Sequence, residues 1–66
     1  MEVAMTNLDI QQQAARFADH LASRAEYLDA EEAWYRWSTE HSVASPAARH
    51  LFEQMYQRRM ARFSRL

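Results

Sequence analysis

Three large rings fall within four residues at Trp34-Tyr35-Arg36-Trp37. Trp, Tyr and Arg dominate interface hot spots because they bury large area at modest cost in side-chain entropy. On a helix Trp34 and Trp37 share a face, being three apart, while Tyr35 points elsewhere. Three such rings cannot all face one thin core, and the chemistry they offer is that of a protein-binding surface. The competing reading places Trp34 and Trp37 in the core, where large aromatic side chains usually go. That reading leaves only Tyr35 across the rim.

A second group is basic. Arg58, Arg62 and Arg65 are spaced by four and three residues and form one helical stripe. Such a stripe can engage phosphates or an acidic protein surface. It can equally complement a helix dipole or pair with acids in the same chain. Arg59 sits nearer the apolar side and needs a carboxylate partner there; another subunit is one source. Arg49 is a further candidate for nucleic-acid or electrostatic contact. The acids Asp19, Glu26, Glu31 and Glu32 offer the opposite chemistry, mimicry of a phosphate chain in a partner's nucleic-acid groove.

Metal and catalytic chemistry find little footing. His20, His41 and His50 are scattered, and there is no Cys, so zinc-ligand spacing is missing. The carboxylates read as solvent faces of amphipathic helices. Ser42, Ser45 and Thr6 read as loop or cap residues. A catalytic pocket needs a few hundred Å³, on the order of 300 or more, which a core of this size can hardly spare. The expectation is a protein without catalytic activity, cofactor, metal or small-molecule substrate.

The elements that position these groups follow from composition and period. The chain has 66 residues and no Gly. Without Gly, tight hairpin turns and phosphate-cradling loops lose their usual residue. Good helix formers dominate instead. Ile10, Ala14, Phe17, Ala18, Leu21, Ala25 and Leu28 recur at helical steps, with Thr6 and Asn7 available as caps. The spacing predicts a first helix over 8–27. The next apolar set, Ala30, Ala33, Trp34, Trp37 and His41, faces nearly the opposite way. A break near Asp29 is therefore predicted, with Asp29 and Glu32 forming a capping box, and a second helix over 30–41. One bent helix over 8–41 is the rival.

Ser45 and Pro46 form the clearest punctuation, an N-cap followed by the favoured residue for a first helical position. They predict a third helix over 46–64, with Ala48, Leu51, Phe52, Met55, Tyr56, Phe63 and Leu66 on its apolar face. Residues 1–6 are expected to be a flexible tail and 7–66 a single helical domain. The expected fold is all-α: a three-helix bundle, or a helical hairpin that dimerises into a larger bundle. A chain this short buries only about 60% of the surface its unfolded form exposes, so self-association as a homodimer is expected to help.

Net charge is −1, but residues 1–45 carry eight acids against three arginines, −5 in all. Residues 46–66 carry five arginines against one acid, +4 in all. The halves attract each other, within one chain or between two. There is no apolar run of about 18 residues to span a membrane and no signal peptide, so a cytoplasmic location without membrane partners is expected.

The leading expectation is a helical module that binds a larger protein and regulates or inhibits it. Trp34, Tyr35 and Trp37 would supply contact area, and the arginines would engage an acidic surface. Its size and aromatic helix are similar in kind to small regulatory or inhibitory proteins of phages and plasmids, including anti-CRISPR proteins, which implies inhibition by occlusion. One alternative is a small DNA-binding regulator, with helices 2 and 3 imitating a helix-turn-helix. Glu31, Glu32 and Glu40 near the phosphates would oppose that arrangement. Another alternative is a purely structural, self-assembling subunit.

Overall fold

The computed structural model describes residues 5–63, which form three helices: α1 (Asn7–Ser23), α2 (Ala30–His41) and α3 (Pro46–Phe63). Residues 1–4 of the expected tail, Ser64 at the end of the expected third helix, and Arg65 and Leu66 beyond it lie outside the described residues. The three-helix form of the expected fold is the one observed, and α1 and α2 are two helices rather than one bent one.

Each helix start is fixed by a side chain. Thr6 caps α1: its hydroxyl accepts from the Asp9 amide at 3.1 Å, and the Asp9 carboxylate accepts from the Thr6 amide at 3.1 Å. That reciprocal pair is a capping box, so Thr6 belongs to the helix start rather than to a loose tail. At α2 the Asp29 carboxylate accepts from the Glu32 amide at 2.8 Å. The return half expected from Glu32 is not made. Its carboxylate accepts from Arg36 Nε instead, at 3.2 Å, one turn further on. At α3 the Ser45 hydroxyl accepts from the Ala48 amide at 3.2 Å, with Pro46 opening the helix.

α1 ends four residues earlier than its periodicity predicts. Ala25 takes φ 55°, and the Glu26 amide donates back to the Leu21 carbonyl at 2.9 Å. The Ala25 amide donates to the Ala22 carbonyl at 3.0 Å. This is a Schellman stop, which normally places glycine in the left-handed position. The same device ends α2, where Ser42 has φ 55° and the Val43 amide donates to the Ser38 carbonyl at 3.0 Å. A chain without glycine thus uses Ala and Ser at positions that cost an L-residue about 1–2 kcal/mol each. Leu28 still packs against the core from the connecting segment, which is why the apolar pattern outruns the helix.

α3 is the central element and packs against both α1 and α2. Phe17 meets Phe52 and Tyr56, and Asp19 meets Arg59, so α1 and α3 run in the same direction. Trp34 and Trp37 meet Phe52, while Leu28 meets Tyr56, so α2 runs back along α3. Burial recurs every fourth residue in α3 at Ala48, Phe52 and Tyr56, one line shared between two neighbours. Ala14, Ala18 and Ala33 are fully buried; small side chains at a contact shorten the distance between helix axes. The core is aromatic at its centre, with Phe52 touching the rings of Phe17, Trp34, Trp37 and Tyr56 at centroid distances of 5.0–6.1 Å.

Candidate functional site

The four residues of the aromatic segment separate by depth. Trp37 is 1% exposed and Trp34 8% exposed, so both belong to the core. This corrects the expectation that they supply most of the contact area to a partner: Trp37 is stacked on Phe52, and Trp34, edge-on to the same ring, keeps only a rim exposed. Trp37 also stacks on His41, centroids 4.6 Å apart, while His41 Nδ1 lies 2.9 Å from the Trp37 carbonyl oxygen. The Trp37 indole N–H is buried without a hydrogen-bond partner, a cost that the packing of the ring offsets.

Tyr35 is different. It is 66% exposed, on the flank of α2 that faces away from the core. It stands at the edge of a groove between α2 and α3 whose floor is the exposed rim of Trp34. One stretch of the groove, about 640 Å³, runs past Ser38 and Thr39 to the turn at Ser42–Ser45 and to Pro46. An adjoining stretch of about 440 Å³ runs the other way to Asp29, Glu31 and Glu32. Trp34, Tyr35, Ser38 and Arg49 line both. The volume argument made from the sequence therefore applies to the core and not to this surface. The groove lies open to solvent, with an aromatic centre, an apolar turn at one end and carboxylates at the other. Arg49 forms its α3 wall and is half exposed, its guanidinium 3.3 Å from Glu53 one turn below. Arg49 was predicted as an electrostatic contact, but the structure adds that it shares one groove with Tyr35. Nothing in the linear spacing of residues 35 and 49 signals this.

The arginines of α3 also separate. Arg59 makes a two-pronged contact with Asp19, Nε to Oδ1 at 2.7 Å and Nη2 to Oδ2 at 2.8 Å. Its carboxylate partner is thus in the same chain, which corrects the expectation of a partner subunit. Asp19 is correspondingly removed from the set of free phosphate-mimicking acids. Its carboxyl is held below the ordinary carboxylate value, chiefly by the hydrogen bonds from Arg59, against a desolvation cost, with the charges of Arg59 and Arg62 assisting. Arg58 and Arg62 stay exposed and form no ion pair among the described residues. With Met55 and Arg59 they line a shallow recess of about 160 Å³.

Of the remaining acids, Glu26 lies 3.4 Å from Arg24 and Glu32 is paired with Arg36. Glu31, in the first turn of α2, is exposed and makes no ion pair among the described residues. Asp19 meets α3 from α1, while Glu26, Glu31 and Glu32 stand around the start of α2. Among the described residues no group of three or more His, Asp or Glu side chains is placed to hold a metal ion. No helix there is long and apolar enough to cross a membrane. No protein-family model, curated protein or solved structure matches this chain.

Proposed function

We propose that this protein is a helical module that binds a larger protein partner through the α2–α3 groove and regulates or inhibits that partner by occupying its surface. The observation that carries the reading is Tyr35: a large ring two-thirds exposed, beside the rim of Trp34 and opposite Arg49, in one open groove. An exposed aromatic next to an arginine over an apolar floor is the composition of an interface centre. Because Trp34 and Trp37 are committed to the core, Tyr35 and Arg49 take over the role first expected of the tryptophans. Small phage- and plasmid-borne inhibitors act by this kind of occlusion, and the reading places the protein in that functional class.

The test is affinity capture from host lysate with and without nuclease, using the wild-type chain and Tyr35→Ala in parallel. The expected result is a stoichiometric protein that survives nuclease and is lost or weakened with Tyr35→Ala while helicity is unchanged. Capture that is the same with both baits removes the groove from the function.

DNA binding is the second reading, and it rests on exposed Arg58 and Arg62. One observation weighs against it. Arg49, at the reading end of α3, is occupied by Glu53. Nucleic acid recovered alone in the capture, with proteins lost after nuclease, would favour this reading over the first.

A further inference from the structure

The chain directions bring three termini to one end of the bundle: the end of α1, the start of α2 and the end of α3. That end carries both signs of charge on separate sides. Glu26 and Glu31 stand on the side of the α1–α2 connection. Arg58 and Arg62 stand on the α1–α3 side, where Arg62 is close enough to act on Asp19. Among the described residues no ion pair joins the two sets, and Glu26 also lies 3.4 Å from Arg24. In the α1–α2 connection at the same end is Tyr27, 66% exposed.

We infer that this end docks onto the same end of a second copy of the chain. A two-fold axis perpendicular both to the bundle and to the line joining the two charged sides sets each acidic side on the partner's basic side. It does so twice at once, as an isologous interface requires. The exposed Tyr27 of each copy then supplies apolar area near the centre, where an aromatic contributes most. The electrostatic half of the contact follows from the unequal charge of the chain, −5 over residues 1–45 and +4 over residues 46–66. Inside the chain Arg49 pairs with Glu53 and Arg59 with Asp19, which among the described residues of that stretch leaves Arg58 and Arg62 for the second copy. The contact shares only Glu31 with the lining of the α2–α3 groove.

The experiment is sedimentation equilibrium of the full chain from about 10 μM to 1 mM, a range that brackets weak association, at low and at high salt. The expected result is a monomer–dimer equilibrium that shifts to monomer as salt screens the charges. Two charge-reversed variants follow: Glu26→Arg with Glu31→Arg, and Arg58→Glu with Arg62→Glu. Each alone should weaken association by about tenfold or more, since several exposed pairs turn repulsive. An equimolar mixture of the two should form a mixed dimer, because each variant complements the other. Wild-type chain that stays monomeric across the range overturns the inference. So does a dimer indifferent to salt, or variants that fail to restore each other. The wild-type salt series stands even if a variant misfolds. Tyr35→Ala should leave the dimer intact, so failure of the groove reading and failure of this one are told apart.

Discussion

The Tyr56 hydroxyl donates to the carbonyl of Leu28 across 2.6 Å, tying the middle of α3 to the segment that joins α1 to α2. Residues 28 apart in sequence are thereby held at hydrogen-bond distance, and the connection that carries Leu28 into the core is fixed by a buried ring. Burial pushes the Tyr56 hydroxyl above its ordinary value, with the nearby Asp29 charge assisting.

Tyr56→Phe keeps the ring and removes the bond, so about 1–2 kcal/mol of stability should be lost in urea denaturation. Exchange of the backbone amides in 24–29 should quicken at the same time. The wild-type chain should also lose stability in alkali. The folded-state value of Tyr56 is raised, so its contribution is fully present below the ordinary tyrosine range and declines as pH rises through the folded value. Denaturant midpoints measured across that range should show the decline, and Tyr56→Phe should remove part of it.

Asp19 and Arg59 should be coupled in a double-mutant cycle with Asp19→Asn and Arg59→Gln. The pair is partly exposed, so solvent screening keeps the coupling small, yet its two-pronged geometry makes it positive. The pH dependence has the opposite sign to that of Tyr56. The folded value of Asp19 is lowered, so its contribution is present above the ordinary carboxylate value and is lost as pH falls through the folded one. Asp19→Asn should flatten that acid limb, as followed by circular dichroism.

Ala25→Gly and Ser42→Gly should each stabilise the fold. Both positions have φ 55° at a helix stop. Relief of the left-handed cost, less the extra freedom of glycine in the unfolded chain, leaves a gain of about 0.5–1 kcal/mol. For a domain of this size that corresponds to a rise in Tm of roughly 2–8 °C. A fall in Tm for either variant would show that the stop does not hold that residue in the left-handed region.

Phe52→Ala should be the most damaging core change. The ring is fully buried and touches four other aromatic side chains. Loss of a buried Phe costs about 3–5 kcal/mol, comparable with the whole stability of a small domain. The near-ultraviolet dichroism of the tryptophans should collapse with it. Tyr35→Ala, at an exposed position, should change stability by no more than about 0.5 kcal/mol, which makes it a clean probe of the groove.

The local elements are legible in the chain alone. Ser45 with Pro46, Asp29, and Thr6 with Asp9 start helices through bonds that span only three residues, so their spacing in the chain is their spacing in space. The helical recurrence of Ile10, Ala14, Ala18 and Leu21, and of Ala48, Phe52 and Tyr56, likewise marks the buried faces without reference to any partner element. Tertiary structure decided everything that depends on which helix meets which. The end of α1 escaped the periodic reading because Leu28 is buried by reaching Tyr56 from outside the helix. The partner of Arg59 lies 40 residues away, and its identity follows only from α1 and α3 running the same way. The groove joining Tyr35 to Arg49, and the gathering of acidic and basic residues at one end, have the same origin. Hydrogen bonds within a turn are encoded by neighbours, whereas a surface shared by two helices exists only after the core has set their direction and register.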